Sequence, residues 1–333
     1  MDAPNHTFTT ECLRYDEEAV ARAALVIRAG GMAALPTETV YGLAADATNG
    51  LAVAGIYAAK GRPSFNPLIV HVADLESARA LAVFDARAEA LAQAFWPGPL
   101  TLVLPVRPSA GVASLVTAGL DTIAIRVPAH RAMRAVLKAT GKPLAAPSAN
   151  LSGTISPTRA EHVLASLGGR IALILDDGPA LRGIESTIVR EVFGTTRILR
   201  HGPITSAALR AALASIAAQG ERTTGIPRFD DGKGTTGSIE APGQLASHYA
   251  PRKEVRLRVT RPAPDEWMIG FGAIAGDDTL SATGDLEEAA ARLFDCLHRA
   301  DASTRARIAV APVPGDDIGA AINDRLKRAA HRE

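Results

Sequence analysis

Apolar positions switch between helical and strand spacing along this chain, and the switches mark out its elements. Over 16–29 they recur at helical spacing, with Asp16 placed to cap the first turn and Gly30-Gly31 to stop it. A strand over 32–35 follows and ends in the polar Pro36-Thr37-Glu38. The alanine-rich run 50–59 predicts a helix that stops at Lys60-Gly61, and 68–72 returns to a strand pattern with His71 near its end. Helices are then predicted over 75–83, 86–95, 130–139, 158–167 and 205–218, with strands over 100–106, 122–127, 144–147, 171–175, 186–190 and 197–200. Several strands follow one another directly, so the expectation is a mixed sheet and not a purely parallel one.

From 219 to 243 the pattern stops: Gly, Thr, Asp and Arg dominate and apolar residues are few. A second α/β unit follows, with strands over 255–259, 267–271 and 308–313 and helices over 286–299 and 318–330. The expected organisation is a catalytic domain over 12–218, a linker and active-site lid over 219–252, and a small domain over 253–333. Gly232-Lys233-Gly234-Thr235 lacks the spacing of a phosphate-binding loop, and no helix follows Gly270-Phe271-Gly272 as a dinucleotide fingerprint requires.

Composition narrows the class. With 333 residues, 47% hydrophobic and 21% charged, the chain has the make-up of a globular protein large enough for two cores. A formal net charge of +1 gives no overall attraction to nucleic acid, so any polyanion site must be local. Cys12 and Cys296 match no metal spacing, and a reducing, cytoplasmic setting is expected. No apolar leader or membrane span is evident.

The candidate chemistry collects where strands end. Lys60 and Arg62 flank a glycine at a helix terminus, and His71 lies close behind. Thr122 with Arg126, Ser148 with Asn150 and Ser156, Glu185-Ser186-Thr187, and Arg200 occupy other strand ends. Arginine offers a rigid fork for carboxylate or phosphate, and Ser, Thr and Asn offer neutral donors and acceptors. Taken singly, Lys60 also reads as an ordinary helix stop, and the serines and Asn150 as turn residues. The set has no nucleophile triad and suits binding and aligning anions.

Together, Pro36-Thr37-Glu38-Thr39-Val40-Tyr41-Gly42-Leu43, Lys60-Gly61-Arg62-Pro63, Asn66-Pro67-Leu68, Pro147-Ser148-Ala149-Asn150, Ser152-Gly153 and Glu185-Ser186-Thr187-Ile188 resemble the YrdC-like family. The match is to its two-domain branch, the L-threonylcarbamoyladenylate synthases, and it continues through Ser247-His248-Tyr249-Ala250-Pro251. The resemblance implies a twisted mixed sheet with helices plus a smaller Rossmann-like C-terminal α/β domain. It implies a nucleotidyltransferase that converts L-threonine, bicarbonate and ATP to threonylcarbamoyl-AMP and pyrophosphate, for threonylcarbamoyladenosine modification of tRNA beside the anticodon.

The family's Lys-Arg-Ser-Asn tetrad falls on Lys60, Arg62, Ser148 and Asn150. The same resemblance implies threonine contacts from Thr39, His71, Arg126, Ala146 and Ser186. It implies ATP contacts from Arg62, Asn66, Thr122, Ser148, Ser156, Arg200 and Tyr249, with Mg²⁺ held mainly by the phosphates and hand-off to a tRNA threonylcarbamoyl transferase. Direct tRNA binding stays open. Two other readings of the residues are a carbamoyltransferase that uses carbamoyl phosphate and a non-catalytic RNA-binding module.

Overall fold

In a computed structural model, residues 9–192, 195–218, 228–230, 240–244 and 248–331 are described. The first domain runs β1 (Glu11–Arg14), α1 (Glu17–Arg28), β2 (Ala33–Leu35), β3 (Gly42–Asp46), α2 (Gly50–Lys60), β4 (Ile69–His71), α3 (Leu75–Leu81), α4 (Ala86–Phe95) and β5 (Leu100–Pro105). It continues through α5 (Ser114–Thr117), β6 (Thr122–Arg126), α6 (Arg131–Thr140), β7 (Leu144–Ala145), α7 (Ala160–Leu167), β8 (Leu173–Asp176), β9 (Thr187–Val192), β10 (Thr195–Arg200), α8 (Ser206–Ala218) and β11 (Arg228–Asp230). Its strands form one sheet in the order β1-β8-β2-β3-β7-β4-β6-β5-β9-β10-β11. Parallel pairs such as β4 with β6 adjoin antiparallel ones such as β5 with β6, so the sheet is mixed as expected.

Local chemistry explains the elements that frame the cavity. The Asp16 side chain accepts from Ala19 N and starts α1, whose Ala19, Ala23, Ala24 and Ile27 are buried. Asn49 caps α2, and Gly61 ends it in the left-handed region (φ 58°), which turns the chain sharply after Lys60. Buried side chains from α2, β4, β5 and β6, among them Ile56, Val70, Leu102 and Ile125, form the main core.

Two strands depart from the predicted pattern. β1 is short, mostly exposed and polar, and it exists because it pairs in parallel with β8. β3 reads Gly-Leu-Ala-Ala-Asp, small residues of weak strand preference, yet it is wholly buried between β2 and β7. Most of the linker expected over 219–252 lies outside the described residues. Within it, β11 joins the sheet beside β10, and 240–244 and 248–252 are ordered against both domains.

The second domain contains β12 (Val255–Arg256), β13 (Glu266–Gly270), β14 (Asp278–Thr279), α9 (Leu286–Ala302), β15 (Arg307–Val310) and α10 (Ile318–Ala330). Its four strands are all parallel in the order β12-β15-β13-β14, which matches the expected Rossmann-like unit. The strands predicted over 255–259 and 308–313 are shorter than their apolar runs. Among the described residues, no helix is long and apolar enough to cross a membrane.

Candidate active site

The cavity begins at the ends of β2, β4 and β6. Because β4 and β6 are parallel, with His71 opposite Arg126, both side chains emerge at the same sheet edge. The Thr37 hydroxyl donates to Val40 O (2.6 Å), accepts from the amides of Thr39 and Val40 (3.2 Å each), and folds the loop after β2 back toward them. Arg126 donates from Nε to Gly98 O (3.1 Å), from Nη1 to the Thr39 hydroxyl (3.0 Å) and from Nη2 to Glu38 Oε1. Three of its five N–H donors are thereby engaged, and two remain for a ligand carboxylate.

Electrostatics follow from this pairing. Burial opposes ionisation of Glu38, but the Arg126 charge and hydrogen bond outweigh it and hold the carboxyl below its ordinary value. Burial, then the Arg126 charge, pushes His71 down to about 3, and its Nδ1 has no hydrogen-bond partner among the described residues. The imidazole is therefore neutral at physiological pH and has a lone pair to offer.

A stability consequence follows. In the unfolded chain His71 takes up a proton near 6.5 and in the folded chain only near 3, so acidification through that window favours unfolding. Each such histidine should contribute a slope of about 1.4 kcal/mol per pH unit. His162, also pushed to about 3, adds a second share. Urea unfolding between pH 7 and 4 should show a shallower slope for His71→Asn; an unchanged slope would contradict the assignment.

On the next wall, Lys60 lies fully buried beneath the loop after β7 and donates from Nζ to Ser148 O (2.6 Å) and to Asn150 O. Burial, then the neighbouring Arg62, drives its pKa well down. Arg62 donates to Asn66 O (3.2 Å) and Pro67 O (2.9 Å), and burial pushes it down to about 10. The Asn150 amide donates to Leu151 O and Thr154 O, whereas its Oδ1 and both polar atoms of the Asn66 amide are buried without partners.

The third wall joins the two domains. Ser186 meets the Thr101 hydroxyl at 2.8 Å, and Arg200 donates to Ser186 O and Oγ (3.1 Å each) and to Pro242 O (3.3 Å). Glu185 accepts from the Ser156 hydroxyl (2.5 Å) and from Arg325 Nε of α10 (3.0 Å). Tyr249 adopts a left-handed backbone (φ 64°), which a tyrosine occupies only when its surroundings hold it. Here its ring is packed 5.5 Å from Phe294 and 5.4 Å from the Arg325 guanidinium. Gly243 is required beside it: any Cβ there would come within 2.8 Å of the Tyr249 hydroxyl.

These walls enclose about 50 Å³. Thr39, His71, Arg126, Ala146 and Ser186 line the cavity, as do Arg62, Ser148, Arg200 and Tyr249. Lys60 and Asn150 lie behind the Ser148 loop, Ser156 behind Glu185 and Asn66 beside Arg62. Thr122 is at the far end of β6 from Arg126, opposite Pro105, and does not line the cavity.

Sequence reasoning left Thr37, Thr101, His248 and Arg325 without a role, and it did not pair Glu38 with Arg126. Arg325 carried one signal: it sits on the stripe formed by Ile318, Ala321, Ile322, Leu326 and Ala329, where an apolar residue belongs.

Fold and cavity together define an α/β protein that gathers buried arginines around one cavity at its strand ends. The family described as "Telomere recombination" (Sua5, YciO and YrdC) matches residues 25–202, and the "Threonylcarbamoyl-AMP synthase, C-terminal domain" family matches residues 204–331. The threonylcarbamoyl-AMP synthase of Bacillus subtilis is 38% identical over 96% of this chain and 95% of its own. That of Pyrococcus abyssi is 37% identical over 95% of each. The crystal structure of P. abyssi Sua5 complexed with L-threonine superposes with a TM-score of 0.82, at 36% identity and 96% coverage of both chains. This chain belongs to the two-domain threonylcarbamoyl-AMP synthase family.

Proposed function

We propose that this chain makes threonylcarbamoyl-AMP and pyrophosphate from L-threonine, bicarbonate and ATP, and that it acts as a nucleotidyltransferase. One observation carries the reading. Arg62 and Arg200 are buried in the wall of one cavity and, among the described residues, donate only to neutral oxygens. Buried cations without counter-charge are costly unless an anion completes the site. A triphosphate supplies that charge, while Arg126, paired with Glu38, suits the single charge of an amino-acid carboxylate.

In this reading Thr39, His71, Arg126, Ala146 and Ser186 hold threonine. Its amine takes up carbon dioxide derived from bicarbonate, forming the C–N bond and releasing a proton. A carbamate oxygen then bonds the α-phosphorus as the bond to pyrophosphate breaks. Arg62 and Arg200 neutralise the charge that accumulates on the phosphates, and the rest is positioning. Lys60 acts from behind by fixing the Ser148–Asn150 main chain.

Among the described residues no group of three or more His, Cys, Asp or Glu is placed to hold a metal. Mg²⁺ therefore belongs to the ATP phosphates in this reading, and no step is drawn through it. The wall bearing Pro242, Gly243, His248 and Tyr249 lies beside Arg200, and in this reading it opens to admit ATP. The product would pass to a tRNA threonylcarbamoyl transferase in the cytoplasm.

Pyrophosphate release is the test. It should require threonine, bicarbonate and ATP together and should proceed without RNA. Activity with carbamoyl phosphate in place of bicarbonate and ATP, or a requirement for RNA, would replace this reading by one of its rivals.

A further inference from the structure

Arg325 of the second domain holds Glu185, a side chain that lines the cavity. Arg325 projects from α10 and is wholly buried. Its Nε donates to Glu185 Oε2 at 3.0 Å, its Nη1 meets Asp324 at 3.0 Å, and its guanidinium lies 5.4 Å from the Tyr249 ring centroid. Its Nη2 has no partner among the described residues. Glu185 lines the cavity, and its other oxygen is held by the Ser156 hydroxyl. Both carboxylate oxygens are thus occupied, and none of the bonds made by Arg200 goes to Glu185.

We infer that Arg325 is a positioning residue for the anionic substrate, holding the Glu185 charge so that Arg62 and Arg200 keep theirs for the ligand. This rests on the ATP reading above. The electrostatic logic is one of competition. Glu185 is the carboxylate facing the cavity from this wall, and a carboxylate free to turn would pair with Arg200, its neighbouring cation. Arg200 would then be neutralised and lost to the triphosphate. Held between Ser156 and Arg325, Glu185 cannot make that turn. Burial first, then the charges of Arg62, Lys60, Arg200 and Arg325, pushes the His248 imidazole down.

Arg325→Met in the full-length chain separates this role from a structural one. The KM for ATP should rise ~10- to 100-fold, the scale of one misplaced charge at a desolvated site, with threonine affinity measured without ATP changed by under ~2-fold. Adding Glu185→Gln should lower that KM again, because no stray charge is left to compete. Equal losses for threonine and ATP, or no recovery in the double variant, would overturn the inference. If Arg325→Met does not fold, Arg325→Gln takes its place: without the charge that holds Glu185 the KM for ATP should rise ~10-fold or more, and a KM within ~3-fold of wild type would count against the role. Wild-type pyrophosphate release, run alongside, keeps a failure of the ATP reading distinct from a failure of this one.

Discussion

Arg126→Met is expected to abolish turnover and to destabilise the fold by about 3–5 kcal/mol, the cost of stripping one partner from a buried ion pair. Arg126 is 3% exposed and holds Glu38, Thr39 and Gly98 O at once, so three elements lose a common fastener. The threonine carboxylate loses its cation in the same step, which should lower kcat/KM for threonine by about 3 kcal/mol or more. Arg126→Lys should recover little, because one ammonium cannot span three acceptors. Adding Glu38→Gln to Arg126→Met should return much of the stability and none of the activity. Urea unfolding and pyrophosphate release read the two effects separately. A stable, active Arg126→Met protein would remove Arg126 from the site.

Arg62→Ala should act in the opposite proportion. Arg62 donates to Asn66 O and Pro67 O, is also engaged by Tyr57, and faces like charge from Arg200, so its removal sacrifices neutral hydrogen bonds and relieves a repulsion. Stability should change little, while use of ATP should weaken by about 2–4 kcal/mol, the worth of a charged contact at a desolvated site. Threonine binding measured alone should barely move. Unaltered ATP turnover in a folded Arg62→Ala protein would refute the assignment. In the proposed reading the contrast is informative: Arg126 is paired with Glu38 for the fold and lends its spare donors, whereas Arg62, with no acidic partner among the described residues, serves the ligand at some expense to the empty protein.

Between Leu35 and Val72 the end of β2, helix α2 and strand β4 were legible because the switches in apolar spacing coincide with a cap or stop residue: Pro36 after β2, Gly61 after α2. The same logic located the ends of β6 and β10, and so Arg126 and Arg200. It failed at β3, where Gly42 to Asp46 carry too little bulk to show a strand period and burial comes entirely from neighbours distant in sequence. It failed again for partnership. Nothing local ties Glu38 to Arg126, or Glu185 to a side chain 140 residues further on in another domain. Thr122 shows the converse: it shares a strand with Arg126, but strand membership places it at the wrong end to line the cavity.

Val40, Ile155 and Ile184 belong to the first domain by sequence, yet their side chains are packed into the hydrophobic core of the second. The boundary between the domains is therefore a constraint on composition as much as a place in the chain. A protein consisting of the first domain alone would present three apolar side chains to water in one patch, next to an acid whose cation had been removed. To remain dispersed it would need polar residues at those three positions, and Glu185 would have to be replaced or given a new partner. Acquiring or shedding the second domain thus calls for a coordinated set of substitutions on a surface that borders the cavity, and a clean cut at residue 204 would not provide them.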